Sequence, residues 1–152
     1  MSNIRGRLRK ALESDCAEDI CQIIDEKRPE DFAALRTFLS LDPSINPKLR
    51  TKAIYALGRW GDPVVVPGIT KIMPKLDEPG RISGTDALSR LGTTNALEAV
   101  AERANDPSPN VRKIVVRALG KMKNPEAKTK LKAIATSDPE EWIRSSASKY
   151  LG

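Results

Sequence analysis

The sequence predicts an all-α fold, a solenoid of about five helical pairs. Three observations predict it. First, a phrase recurs. Leu57-Gly58, Leu91-Gly92, Leu119-Gly120 and Leu151-Gly152 are spaced 34, 28 and 32 residues apart, and a period of that size marks a repeat architecture. Second, each period carries the signals of two helices, with polar caps and prolines at the starts and glycines at the stops. Third, no stretch alternates apolar and polar residues for long enough to make a strand.

The repeat keeps particular positions. Nine residues before each glycine stand Leu49, Ser83, Val111 and Ile143, followed by Arg50, Gly84, Arg112 and Arg144. Five before each glycine stand Ala53, Ala87, Val115 and Ala147, and upstream lie Asp42, Asp77, Asp106 and Asp138. The second copy departs from the rest. It has Ser83 and Gly84 where the others have an apolar residue and an arginine, with Ile82 one residue out of step.

The elements follow in order. Two short helices are expected near 4–13 and 17–27. An Ile4, Leu8, Leu12 stripe docks the first and leaves Arg5, Arg9 and Lys10 in water. Residues 13–31 hold eight acids against two bases and can neutralise that basic start. Helices 30–41 and 47–57 form the first pair, 63–76 and 79–91 the second. In the third, 95–104 is apolar at Ala96, Leu97, Val100, Ala101 and Ala104, and its partner runs from Pro109 to a stop at Gly120. Helices 125–136 and 139–151 make the last. Asp62, Ser108, Asn124 and Asp138 are the expected caps. The stretch "VVVP", residues 64–67, is strand-like in composition but follows an Asp-Pro start, so it reads as the first turns of a helix bent at Pro67. The whole is expected to be one domain, 1–152, with a degenerate N-terminal cap at 1–30 and repeats at about 31–58, 62–92, 94–120 and 124–152.

Composition narrows function. There are no histidines, which removes the commonest general base, the commonest zinc ligand and every Ser-His or Cys-His pair. Carboxylate or lysine chemistry remains open in principle. "GRWGDP" has too few glycines for a phosphate loop. The reading is therefore a non-catalytic protein with no metal and no cofactor. No apolar run approaches a membrane span, and the basic start has no apolar stretch behind it. Cys16 and Cys21 are expected as buried or half-buried free thiols in a reducing cytoplasm.

The stretches "NDPSPNVRKIVVRALG", "SDPEEWIRSSASKYLG" and "LRTKAIYALGRWGDPVVVPGI" each carry part of the pattern Asp-x-x-x-x-Val-Arg-x-x-Ala-x-x-Ala-Leu-Gly, and the last goes on to Gly-Asp-Pro. This resembles the HEAT-like repeats of phycobilisome bilin lyases, over four units at residues 31–152. The resemblance implies a right-handed α-solenoid whose second helices line a concave surface. It also implies a ladder in which Arg50, Arg112 and Arg144 meet the aspartates, with Asp106 and Asp138 the expected partners and a break at the second repeat.

The varied positions then mark a candidate surface. The solvent stripe of the inner helices reads Lys48, Thr51, Tyr55, Arg59; Thr85, Ser89, Thr93; Asn110, Lys113, Arg117, Lys121; and Trp142, Ser145, Lys149. It has six positive charges, two aromatics and no acid. Candidate partner-binding residues are Tyr55, Arg59, Lys113, Arg117, Lys121, Trp142 and Lys149. The alternative is an ordinary solvated face. Trp60 falls where related repeats carry Ile or Leu and is expected in the core. Trp142 stands where sister units have Lys48 and Asn110, so it either covers the open end of the stack or contacts a partner. Lys121, Lys123, Lys128, Lys130 and Lys132 form a second basic cluster, expected on the convex side. The best reading is a cytoplasmic scaffold that binds an acidic protein. A net charge of +6 and a pI of about 9.5 also permit nucleic acid, and the resemblance admits a bilin lyase subunit or phycobilisome-associated factor.

Overall fold

Proline and a capping side chain together start the helices at Pro47, Pro109 and Pro125. The computed structural model describes residues 2–152, with side chains from Gly6 onward. Its α-helices are α1 (Ser2–Glu13), α2 (Ala17–Glu26), α3 (Pro29–Arg36), α4 (Pro47–Trp60), α5 (Val66–Ile72), α6 (Glu78–Leu91), α7 (Thr94–Ala101), α8 (Pro109–Met122), α9 (Pro125–Ser137) and α10 (Glu141–Leu151). Pro63–Val65, Met73–Lys75 and Glu102–Asn105 are 3-10 turns. Among the described residues there is no strand. The all-α, helix-pair build expected of an α-solenoid is thus present.

Caps explain the starts. Asp62 Oδ1 accepts from Val64 N–H at 3.0 Å, Ser108 Oγ from Val111 N–H at 3.4 Å and Asn124 Oδ1 from Ala127 N–H at 2.7 Å. Asn46 and Thr93 cap α4 and α7 in the same way. Asp138 does not cap α10. Its Oδ1 accepts from Glu140 N–H at 2.9 Å, and the helix begins two residues later than expected. "VVVP" divides into a 3-10 turn and a new helix, with Pro67 in the first turn of α5.

The ends differ more. Gly58 and Gly120 are not stops. Helix α4 runs on to Trp60 and ends at Gly61, whose φ is 87°, and α8 runs to Met122 and ends at Lys123, φ 51°. The glycines serve close approach. A Cβ on Gly58 would lie 2.6 Å from the Ala87 Cβ of α6, and one on Gly120 would collide with the Tyr150 ring of α10. Helix α3 is shorter than expected because Phe38 and Leu39 N–H bond back three residues, continuing it as tight turns.

The chain divides into two units, one up to Leu91 and one from Gly92 onward. In the first, α1 buries Leu8, Ala11 and Leu12, and α2 buries Ile20, Ile23 and Ile24. Arg9 and Lys10 are exposed as expected, whereas the Ile4 and Arg5 side chains lie outside the described residues. Both cysteines are free, as expected, but exposed, contrary to expectation. Cys16 precedes α2 as its N-cap residue, and Cys21 lies off the Ile20–Ile23–Ile24 face. Helix α4 packs most extensively on α6. Trp60 is half-buried, not core: on the last residue of α4, its ring tilts onto Phe32 at 5.2 Å.

Small residues on α6 explain the irregular second repeat. Gly84 is buried and a Cβ there would stand 3.1 Å from Met73 Sδ. Thr85, expected in solvent, is fully buried under the same methionine, and its hydroxyl faces Met73 Sδ at 3.5 Å. The 3-10 turn that carries Met73 occupies the space that a larger residue would take.

In the second unit α8 packs on α9 and α10, and α9 packs on α10. Val111, Val115, Leu119, Ile143 and Ala147, all repeat-keeping positions, are buried with Leu131 and Val100.

Candidate functional site

The second helix of each pair carries an arginine tied to the chain before it. Arg50 Nη2 donates to the Asp42 carbonyl at 3.3 Å, Arg112 Nη1 to the Asp106 carbonyl at 2.8 Å, and Arg144 Nη1 to the Asp138 carbonyl. Arg112 does more. Its Nε and Nη2 meet Asp138 Oδ2 and Oδ1 at 2.9 and 3.3 Å. Asp106 contributes its carbonyl to Arg112, while its carboxylate accepts from Ser108 N–H and lies 3.6 Å from Arg103. Arg50 Nε is buried without a partner. Asp77, the corresponding aspartate of the next repeat, instead accepts from Gly80 N–H at 3.0 Å. The second repeat also has an arginine, out of register with the other three. Arg81 Nη1 donates to the Leu76 carbonyl at 2.9 Å. It stands three positions before Gly84 because α6 begins directly after Asp77.

The expected partner-binding residues fall in two groups. Tyr55 and Arg59 belong to the first unit. Arg59 is exposed and its guanidinium lies over the half-buried Tyr55 ring, 4.4 Å from the centroid. Lys113, Arg117, Lys121, Trp142 and Lys149 belong to the second. Lys113, Arg117 and Lys121 recur every fourth residue along α8, and all are exposed. Trp142 and Lys149, seven residues apart, share a face of α10, and Trp142 is 45% exposed. The two helices touch where Gly120 admits Tyr150. Among the described residues no carboxylate pairs with Lys113, Lys121 or Lys149. Lys121 and Lys149 sit in the last turns of their helices, where the dipole favours cations.

The second basic cluster does not form one face. Lys128, Lys130 and Lys132 are all exposed, but alternate lysines on a helix point apart. Lys130 borders a groove of about 550 Å³ with Asp106, Arg112, Ile134 and Asp138. That groove holds the satisfied Arg112–Asp138 pair.

The acidic residues near the chain start hold a feature that the sequence did not signal. Asp31 is fully buried, and Arg7 bridges it to Glu26, the latter at 2.8 Å. Its Oδ1 has no partner. Burial pushes its carboxyl above the ordinary range, against the pull of Arg7 and Arg28. The contact spans 24 residues, so no local spacing could have found it. Asp42 is held below its ordinary value by the Ser44 backbone N–H and then by the Ser44 hydroxyl.

Among the described residues no group of three or more Cys, Asp or Glu side chains could hold a metal ion, and no helix is long and apolar enough to cross a membrane. A family model described as HEAT repeats matches residues 66–152. None of the curated proteins matches.

Proposed function

Because the chain belongs to the HEAT repeat family, we propose that it is a non-catalytic scaffold that binds another protein, and that an acidic partner docks on the exposed face of α8 and α10. HEAT repeats commonly serve as protein-interaction scaffolds. The observation that carries the reading is charge beside an aromatic. Lys113, Lys121 and Lys149 are exposed without an acid paired to them among the described residues, and Trp142 stands exposed on the same helix as Lys149. A basic surface steers an acidic partner towards it, and an exposed tryptophan is the usual kind of anchor. Tyr55 and Arg59 offer a second, smaller contact of the same chemistry in the first unit. The reading places the protein in the cytoplasm.

The test starts with affinity capture from the native host and continues by titration calorimetry at two salt concentrations. Arg117→Glu should weaken binding chiefly through slower association. Trp142→Ala should speed dissociation and cost ~1–2 kcal/mol or more. Lys128→Glu, on α9, is the matched control. If it weakens binding as much as Arg117→Glu, net charge alone is responsible and the assignment to α8 and α10 fails. A salt slope near ~0.9 per contacted phosphate would instead identify duplex DNA as the ligand. The bilin lyase reading of the resemblance predicts an absorbance change when a bilin is titrated.

A further inference from the structure

Charge is spread unevenly along the chain. Residues 13–31 hold eight acids against two bases, and local pairing occupies only some of the acids. Glu13 pairs with Arg9, Glu26 with Arg7 and Arg28, and Asp31 with Arg7. Lys27 Nζ donates to the Trp60 carbonyl at 3.2 Å, so both bases of the stretch are engaged. Glu18 and Asp25 stay exposed, and among the described residues no cation pairs with either. They stand seven residues apart, on the side of α2 opposite Ile20, Ile23 and Ile24. The exposed Cys21 lies between them.

Helix α8 carries the complement. From Val111 to Leu119 its side chains are buried except Lys113 and Arg117, and Lys121 continues that stripe one turn further. Lys113 and Lys121 have no acid paired to them among the described residues. The stripe stays in solvent although α9 and α10 already pack on α8, so stacking of the next helix pair does not cover it. The spans agree as well. At about 1.5 Å per residue, Glu18 to Asp25 covers about 10.5 Å and Lys113 to Lys121 about 12 Å.

We propose that α8 docks on α2 of a second copy of this chain, head to tail. This rests on the reading of α8 as a docking face and names its occupant. The two helices run antiparallel, with Lys121 against Glu18 and Lys113 against Asp25, an order that also opposes their dipoles. Arg117 then faces Cys21. A second copy is favoured over a foreign acidic protein because both halves of the match, in sign and in length, are on this chain. The two faces differ, so the contact is heterologous and copies add end to end. Exposed ion pairs contribute little each and are screened by salt. The association is therefore weak, reversible and confined to concentrated protein at low ionic strength.

Sedimentation velocity of the full chain at low salt, up to about 1 mM protein, tests it. The mean mass should rise with concentration and return to that of one chain as salt approaches about 0.5 M. Glu18→Lys with Asp25→Lys reverses one face, and Lys113→Glu with Lys121→Glu reverses the other. Each double variant should self-associate about tenfold more weakly or worse, because like charges are brought together. An equal mixture of the two should associate again, since each reversed face meets its complement on the other variant. All four side chains are exposed, so circular dichroism should match the parent. A second readout locates the contact. With Cys16→Ser in place, Arg117→Cys should form a disulfide to Cys21 of another copy on oxidation by oxidised glutathione. Adding Glu18→Lys and Asp25→Lys should suppress it. A mass that stays that of one chain at every concentration overturns the proposal. So does association that survives both reversals, or a mixture that stays dissociated. The wider reading is separable. A host partner captured through Lys113 and Lys121 by a chain that does not self-associate keeps the α8 face and rejects this occupant. Self-association lost on reversing Glu18 and Asp25 but kept on reversing Lys113 and Lys121 rejects the α8 face itself.

Discussion

The Arg112 guanidinium and the Asp138 carboxylate meet edge to edge, Nε to Oδ2 at 2.9 Å, with side chains only 9% and 3% exposed. Two helix pairs are joined by this contact. Removing one partner leaves the other charge buried, so Arg112→Ala should cost ~3–5 kcal/mol. Arg117→Ala, one turn further along α8 and exposed, should stay within ~0.5 kcal/mol. Urea unfolding of the two variants checks the contrast. Equal losses would mean that the buried pair contributes nothing specific.

Gly58 and Gly120 should respond differently to alanine. A Cβ at Gly58 meets the Ala87 Cβ and Cα at 2.6 and 2.7 Å. Backbone cannot yield, so Gly58→Ala should cost ~1–3 kcal/mol or more by overpacking. A Cβ at Gly120 meets the exposed Tyr150 ring, which can swing aside. The better helix propensity of alanine, worth ~1 kcal/mol, should then offset much of the loss. Thermal melts showing Gly120→Ala to be the worse variant would contradict this account.

Facing on α8 can be checked at two neighbouring positions. Leu119 is 1% exposed, whereas Lys121 is exposed. Leu119→Ala should cost ~2–5 kcal/mol, and Lys121→Ala should remain within ~0.5 kcal/mol. Denaturant midpoints decide it.

Asp31 gives a pH dependence of defined sign. Burial raises its folded-state value above the 3.8 of an ordinary aspartate. The folded protein therefore holds this proton more tightly than the unfolded chain. Its contribution to stability is fully present below the ordinary value and is lost as pH rises through the raised one. Asp31→Asn cannot ionise. Relative to the parent, the variant's urea midpoint should improve as pH rises from about 4 towards neutrality. A difference of opposite slope would show that the Arg7 pair outweighs burial, and a constant one that the two cancel.

Local chemistry made much of the fold legible. Asp62, Ser108 and Asn124 act on N–H groups two or three residues away, so their capping could be read from the chain alone. What lies across the packing could not. Gly58 looked like a helix stop because its reason for being glycine is Ala87, on another helix. Thr85 looked solvated because Met73, which covers it, comes from a 3-10 turn that helical spacing does not anticipate. On the candidate face, Lys113, Arg117 and Lys121 were legible as a four-residue stripe. The Arg7–Asp31 contact and the displaced Arg81 were not, since both depend on where separate segments meet.

The arginines of α4, α6, α8 and α10 donate to carbonyl oxygens of the preceding linker in every repeat: Asp42, Leu76, Asp106 and Asp138. A carbonyl is the same group whatever residue bears it. Except at Asp138, whose carboxylate also holds Arg112, the linkers can therefore accept substitutions, even a leucine for an aspartate, without losing the tie that seats the next helix. Such a tie is indifferent to side-chain identity and sensitive only to linker length. Insertions and deletions there, more than point changes, are what the architecture should resist.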